Sequence, residues 1–423
     1  MWYNLLVVIR YYKFSHYYLE DIFMTITDTF KSAFVFESYK CITDYNETVD
    51  LHTGYKTKSL VIRNDISQNF RAAYIYGEGL KEIKKQRVNY KNNILGEFLG
   101  IKKNDINSVM SFFNKYGFLF DLSGYDQYVN VNIDDIIYLK DNLEALINLL
   151  NAQDSRKINY KKFLNSVLYL LLKENREIKI NGETVYTSID NALLNKIKSA
   201  TKVNLMEGDN IVHIPKSDGG NDIVYRVKDS ISENGYHDIN VYDYYEFLED
   251  DQQDLEFARQ IFKAYVIKDS PIFTNNERLI IEFLFHFIQQ VSLINLGFVS
   301  LDMFFHDECY TKLEAKESMI LTEALGKISK FLIERELNYH LSEIRPVYNV
   351  ETMQPNWNLP SLLSAMYLSL FYLDSRQESY RACQNINCGQ FFLVSRTNSI
   401  KKYCCVYCTN AVSQRNYKHK KRE

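Results

Sequence analysis

Proline and glycine are scarce in this chain, whose 423 residues include 5 prolines and 15 glycines. Because these residues interrupt regular structure most often, their scarcity disfavours long irregular segments and favours helices. The start has neither a basic segment nor a small-residue cleavage site, so we predict no secretory signal. The uncharged run 283–301 approaches membrane-spanning length, but His286, Gln290 and Asn295 interrupt it. We therefore expect a buried core helix and no membrane association.

Sequence motifs of several enzyme classes are also missing. The chain contains no G-x-S-x-G, no H-E-x-x-H and no G-x-G-x-x-G segment. Acidic residues are dense between 246 and 256, but no histidine or cysteine stands at ligand spacing beside them, so we interpret them as a solvated helix face. His286 and His306 are isolated in sequence and are interpreted as hydrogen-bonded residues. We predict that the protein is not an enzyme; an unrecognised site in its body is the alternative.

Cysteine, by contrast, is concentrated near the C-terminus, where five of the seven cysteines lie between residues 381 and 408. Two close pairs joined by a 15-residue spacer have the spacing of a four-thiolate zinc site. Nothing marks the chain as secreted, so metal is favoured over disulfides. Gly389 suits a sharp turn that needs positive φ. We predict one structural Zn²⁺ bound by Cys383, Cys388, Cys404 and Cys408, with Cys405 as the alternative to Cys404 because it also forms a C-x-x-C.

A basic segment accompanies the cysteines. Residues 381–423 contain nine Lys/Arg and one Glu, a net charge of +8, whereas the whole chain carries −3, which leaves −11 for residues 1–380. No glycine or proline follows Cys408, so we predict a helix from near residue 406 to the end. Such a helix, anchored on a metal site, can bind phosphates, although a solvated terminal helix is the alternative. The predicted nucleic-acid contacts are Arg396, Lys401, Lys402, Gln414, Arg415, Lys418 and Arg422.

The pattern R-x-C-x4-C-x2-F-F, followed by K-x-Y-C, N-A and Q-R-x-Y, resembles the C-terminal zinc finger of the bacterial CGNR-type proteins. The resemblance covers about 45 residues of the chain. It implies a treble-clef-like finger after a larger, mostly helical domain, and DNA binding in transcriptional regulation. Cys383, Cys388, Cys404 and Cys408 match the family's metal ligands, which favours Cys404 over Cys405. The family has Gly-Asn-Arg after the last cysteine, and only the asparagine is matched here, by Asn410.

The sequence divides into three regions. Residues 1–23 are a possible non-native extension, with Met24 as the alternative start, residues 24–380 form a mostly helical body, and residues 381–423 form the finger. We expect a mainly α fold with minor β. Short strands are predicted at 34–36 and 59–63, and a hairpin at 210–215 and 222–227. Helices are predicted at 78–100, 134–151, 160–173, 244–266, 276–301, 312–341 and 361–379. The last of these reaches the finger without a flexible linker, which predicts that the finger packs on the body.

The leading prediction is a cytoplasmic zinc-finger protein that binds nucleic acid, specifically DNA, as a transcriptional regulator. The body would bind an unknown ligand or a protein partner. The alternative is a structural zinc module, in which the finger secures the C-terminus and the protein acts through protein–protein contacts. Removal of the basic tail would distinguish the two, because it abolishes nucleic-acid binding only in the first case.

Overall fold

The fold mixes helices and strands. It is known from a computed structural model, 45% helical and 25% strand, in which the described strands form five small antiparallel sheets. The expectation of a mainly α fold is therefore wrong. It missed two long strands near the N-terminus, because their sequences show little of the alternation of apolar and polar residues that marks a strand. The predicted extension 1–23 lies outside the described residues. These are 32–49, 56–84, 87–88, 93–103, 105–125, 127–153, 155, 158–207, 210–215, 220–315, 318–350, 353–398 and 400–420.

The strands are numbered along the chain. They are β1 (Ser32–Val49), β2 (Lys56–Ile75), β3 (Gly79–Lys84), β4 (Arg87–Val88), β5 (Val129–Asn132), β6 (Glu177–Ile180), β7 (Glu183–Thr187), β8 (Ile211–Pro215), β9 (Asn221–Lys228), β10 (Tyr236–Asn240), β11 (Arg345–Asn349), β12 (Gln354–Asn358), β13 (Glu378–Ala382) and β14 (Phe391–Ser395).

The α-helices are numbered in the same way. They are α1 (Ile94–Leu99), α2 (Ile106–Tyr116), α3 (Ile133–Gln153), α4 (Tyr160–Leu172), α5 (Ala192–Lys198), α6 (Val241–Glu249), α7 (Glu256–Val266), α8 (Asn275–Gln290), α9 (Asp307–Glu314), α10 (Met319–Leu341), α11 (Leu362–Phe371) and α12 (Val406–Lys420). In the part of the chain that is described, no helix combines the length and apolar character that crossing a bilayer requires.

The first hydrophobic core forms against the N-terminal sheet. β1 and β2 make a long antiparallel hairpin, and β2 also pairs with β3 and β5. Phe34 on β1 lies opposite Tyr74 on β2, and their stacked rings are 5.8 Å apart. Helices α2, α3 and α11 pack on this sheet, and their apolar side chains complete the core. Burial of these aromatic side chains is the main source of the core's stability.

A second core surrounds helices α4, α7, α8 and α10. Helix α3 joins the two cores, because Leu146 belongs to the first and Leu149 to the second. The sheet β8–β9–β10 borders the second core through Val227 and Ile239. The body thus contains two packed cores, and helices α3 and α10 contribute side chains to both.

The finger packs directly on this body, as predicted. Strands β13 and β14 pair antiparallel, and successive side chains of β14 point to opposite faces. Phe391 and Leu393 join the first core, whereas Phe392 and Val394 pack with the cysteines. The Asn151 side chain on α3 donates to the Tyr380 carbonyl (2.8 Å) and accepts from the Tyr380 N–H (3.1 Å). The hairpin therefore bridges the body and the cysteine cluster.

Several predicted elements are confirmed and others are wrong. The predicted helices 134–151 and 160–173 correspond to α3 and α4, and the predicted hairpin corresponds to β8 and β9. Residues 78–100 are not one helix: their described part contains the strands β3 and β4 and the helix α1. The predicted helices 244–266, 276–301, 312–341 and 361–379 are shorter or interrupted, and the last gives way to β13 because that strand pairs with β14.

Gly96 tests the contact between α1 and the finger. A Cβ atom on Gly96 would lie 2.0 Å from the Phe391 carbonyl oxygen, so any larger residue must displace β14. We expect Gly96→Ala to lower the free energy of unfolding by about 1–3 kcal/mol, the usual cost of overpacking. Chemical denaturation measures this change. Gly326→Ala is the matched control, because its Cβ meets nothing within 4 Å on α10 and alanine favours a helix. Equal stability changes in the two variants would contradict the tight contact.

Candidate metal centre and basic helix

The four predicted ligands converge at the end of the β13–β14 hairpin. Cys383 follows β13, and its N–H donates to the Gln390 carbonyl (2.8 Å). Cys388 closes the turn by donating its N–H to the Asn385 carbonyl (2.8 Å). Cys404 precedes α12, and Cys408 lies in the first turn of that helix. The elements therefore follow in the order strand, cysteine turn, strand and helix. The treble-clef-like arrangement that the resemblance implies stays a prediction.

The sulfur atoms of Cys383, Cys388, Cys404 and Cys408 all lie within 4.8 Å of one another. The Sγ of Cys404 is 3.6 Å from that of Cys388 and 3.6 Å from that of Cys408. Four sulfur atoms at tetrahedral corners, each about 2.3 Å from a central ion, are about 3.8 Å apart. The group thus has the donor type, number and separation to hold one metal ion.

The geometry distinguishes Cys404 from Cys405. Cys405 is exposed, and although its Sγ is 3.8 Å from that of Cys404, it is not part of the four-sulfur group. Gly389 has φ +67°, which confirms the prediction that the turn after Cys388 needs positive φ. The first two cysteines therefore belong to a turn whose backbone conformation glycine adopts without strain. Cys408, the last ligand, lies in the first turn of a helix.

Electrostatics explain why a cation suits this group. Burial raises the pKa of the Cys388 thiol to about 11. Four neighbouring thiolates would also repel one another, so the deprotonated form is unfavourable without a positive charge. A divalent cation at the centre reverses both effects, because the thiolate is the form that binds metal. The donor set therefore fits a soft or borderline divalent ion.

The basic residues predicted to contact nucleic acid fall into two groups. Lys401, Lys402, Gln414 and Lys418 are exposed. The Lys401 ammonium lies 5.3 Å from the centre of the Phe392 ring, which fixes it beside the cysteine cluster. Arg422 lies outside the described residues. The exposed cations thus occupy the loop before the last two ligands and the distal half of α12.

The side chains of Arg396 and Arg415 donate hydrogen bonds to other residues of the protein. Arg396 donates through Nη2 to the Asn151 carbonyl (3.0 Å) and through Nε to the Ser375 carbonyl. It therefore ties the finger to the body. Arg415 donates to the buried side chain of Asn385, which joins α12 to the cysteine turn. Both side chains position the finger, so a phosphate contact would have to replace these hydrogen bonds.

Two asparagines were not singled out in the sequence. Asn151 orients β13 by its paired hydrogen bonds, and no local pattern marks it, because its partners are more than 200 residues away. Asn385 stands between the first two ligands, where a side chain that bonds nearby backbone N–H groups is common. It accepts from the Asn387 N–H (3.4 Å) as well as from Arg415. The position of Asn385 between two ligands could therefore have predicted its role in the turn.

Comparison with known proteins adds no relative: no protein-family model matches this chain, and neither a curated protein nor a solved structure matches it. The likeness of residues 381–423 to the CGNR-type finger therefore stays a prediction. The function proposed below rests on the residues of this chain alone.

Proposed function

We propose that the protein binds duplex DNA through a zinc-loaded finger and acts as a transcriptional regulator. The observation that carries the proposal is the position of exposed cations beside the four-cysteine group. Zinc is the ion we propose, because four thiolates in a tetrahedral arrangement are its usual structural site. Thiols must stay reduced for this site to form, which requires a reducing compartment such as the cytoplasm.

The charge distribution supports the proposal. The finger segment 381–423 carries +8 in an otherwise acidic chain, and four thiolates on one Zn²⁺ would leave about +6. Exposed aromatic side chains stand among these cations, with Tyr407 77% exposed and Tyr417 66% exposed. Exposed cations with aromatic side chains between them are typical of surfaces that bind nucleic acid, where lysines contact phosphates.

Helix α12 is suited to a groove. It begins at the metal ligands and extends for 15 residues, which is about 22 Å. Gln414 and Lys418 are both exposed and stand four positions apart, so they share one side of the helix. A helix held rigidly at one end can enter the major groove, where glutamine and lysine side chains reach base edges and phosphates.

Charge reversal of three exposed lysines tests the proposal. Lys401→Glu, Lys402→Glu and Lys418→Glu combined should weaken duplex DNA binding by about two orders of magnitude at moderate salt and reduce the log–log salt slope by about 1 for each lysine. Zinc content and thermal stability should stay unchanged, because these side chains are exposed. Fluorescence anisotropy titrations measure both affinity and slope.

The matched control changes the same charge on the body. Lys312, Lys327 and Lys330 are exposed on or near α9 and α10, so reversing all three alters the net charge equally but leaves the finger intact. We expect this variant to bind with nearly wild-type affinity. Equal losses of DNA affinity in the two variants would show that the net charge of the protein, and not the position of the finger lysines, determines binding. Unchanged binding after reversal of the finger lysines would favour the second candidate, a structural zinc module that secures the C-terminus through Arg396 and Asn151.

A further inference from the structure

A second group of side chains that could hold a metal ion lies in the body, between the β8–β10 sheet and helix α8. It consists of Asp229 just after β9, His237 in β10 and His286 in α8. One donor atom from each residue lies within 4.8 Å of the other two. Asp229 and His286 are buried, and His237 is half buried. The group was invisible in the sequence because His286 is 49 residues from His237.

The Asp229 carboxylate is held in one orientation. Its Oδ1 accepts from the N–H groups of Ile231 (2.8 Å) and Ser232 (3.2 Å). Its Oδ2 accepts from the Tyr265 hydroxyl and lies 2.6 Å from His286 Nε2. Ligating carboxylates are usually fixed by such secondary hydrogen bonds, which orient the remaining lone pairs. The carboxylate is thus preorganised toward His286.

His286 also has a partner for its other ring nitrogen. Its Nδ1 lies 3.4 Å from the Gln290 side-chain amide. The two ends of an amide are interchangeable in such an assignment, so the Gln290 oxygen can accept from an Nδ1–H group. In that tautomer Nε2, which otherwise carries the proton of the 2.6 Å hydrogen bond to Asp229, exchanges this proton for the metal ion. A second hydrogen bond of this kind is usual for metal-binding histidines.

A simple Asp–His hydrogen bond would explain why Asp229 and His286 lie side by side, but it would not explain why His237 lies next to them. The His237 ring packs edge-on against His286, with ring centres 5.4 Å apart, and also against Phe285 at 5.4 Å. The nearby buried ammonium of Lys268 lies 3.6 Å from the Glu282 carboxylate, so this pair adds no net charge to the group. Two imidazoles and one carboxylate thus converge at this point.

His237 also lines a cavity of about 800 Å³. Three of the acidic residues that were interpreted as a solvated helix face, Glu246, Glu249 and Asp250, line this cavity as well, so its field favours cations. Ile239, Phe247 and Phe262 provide the apolar part of its wall. The acidic lining residues are Asp238, Asp243, Glu246, Glu249 and Asp250.

We propose that Asp229, His237 and His286 bind one divalent transition-metal ion beside this cavity. Two imidazole nitrogens and one carboxylate oxygen suit Zn²⁺, Co²⁺ or Fe²⁺ better than Mg²⁺ or Ca²⁺, which prefer oxygen ligands. Three protein ligands leave at least one coordination position for water or a small molecule from the cavity, unlike the closed cysteine site. The site is separate from the finger and does not depend on nucleic-acid binding.

Metal counting on the full-length protein tests this site. After equilibrium dialysis against Co²⁺, the wild type should hold two ions per chain by elemental analysis, one at the cysteines and one here. His237→Gln should hold one ion fewer than the wild type. Cobalt bound to thiolates absorbs through sulfur-to-metal charge transfer, so His237→Gln should keep this absorption while Cys388→Ser should lose it.

His306→Gln is the matched control, because His306 is exposed and outside the group, and it should keep the wild-type metal count. Circular dichroism verifies that each variant is folded. Equal metal counts in His237→Gln and the wild type would overturn the proposal. The proposal would also be overturned if the wild-type protein bound one cobalt ion per chain, at the cysteines, and none at the second group.

Discussion

Replacing Cys388 with serine should remove one metal ion per chain and unfold the finger. A structural four-thiolate site supplies on the order of 10 kcal/mol to a small metal-dependent fold, and serine cannot replace a thiolate in it. The finger's own core is small: among its described residues, Phe392 and Val394 are the apolar side chains buried with the cysteines, and a few neighbours are partly buried. We therefore expect α12 to lose its helical structure while the body stays folded.

Elemental analysis and limited proteolysis measure these two effects. Cys405→Ser is the matched control, since Cys405 is exposed and outside the four-sulfur group. We expect it to keep its metal and to resist protease as the wild type does. Metal loss from Cys405→Ser, together with retention in Cys404→Ser, would reverse the ligand assignment.

The second large effect concerns Glu336, a buried charge on α10 that is 1% exposed. Its carboxylate lies 3.8 Å from the ammonium of Lys173, which is itself buried at the end of α4, and 3.2 Å from the guanidinium of Arg335. Glu336→Gln keeps the side-chain volume but leaves Lys173 without its counter-charge. We expect the free energy of unfolding to fall by about 3–5 kcal/mol, the usual cost of breaking a buried ion pair.

A double variant separates charge from packing. Lys173→Met combined with Glu336→Gln removes both charges, so it should recover part of the lost stability. Denaturant titration of the wild type, both single variants and the double variant gives the coupling energy. Additive losses, with no recovery in the double variant, would show that the pair does not interact as proposed.

The pH dependence of stability provides an independent check on Glu336. Burial alone would raise the pKa of Glu336, but the Lys173 ammonium, the His340 side chain and the Arg335 guanidinium together outweigh it, and the pKa falls to about 2. The unfolded chain therefore binds this proton first as the pH drops. The stabilising contribution is present above about pH 4.5, the ordinary value, and is lost between there and about pH 2. Glu336→Gln should lack this part of the acid transition.

Much of the finger was predictable because its signals are local. The cysteine spacing predicted that four sulfur atoms meet but left Cys404 and Cys405 as alternatives, between which the likeness to the CGNR-type finger favoured Cys404. The lack of glycine and proline after Cys408 predicted α12. The positive φ of Gly389 followed from the same turn. Helices α3 and α4 were predictable as well, because the apolar period of each extends over at least three turns.

The errors arose where distant partners decide the structure. β1 and β2 are long and partly polar, and they are strands because they pair with each other along most of their length. The contact of Arg396 with phosphate stays a prediction, whereas its hydrogen bonds to the carbonyl groups of Ser375 and Asn151 had no local signal in the sequence. The Asp229–His237–His286 group likewise depends on tertiary packing, which isolated histidines do not reveal.

A salt-dependent DNA titration of the zinc-loaded full-length protein tests the central proposal most directly. Lys401, Lys402, Lys418 and Arg422 allow about three to four phosphate contacts, so the log–log salt slope should be about −3 to −4. Raising salt from about 50 to about 200 mM should then weaken binding by about a hundredfold. Saturable binding of this kind, lost when Cys388→Ser removes the metal, is the predicted result. Absence of binding to duplex DNA at the lower salt concentration would contradict the proposed function.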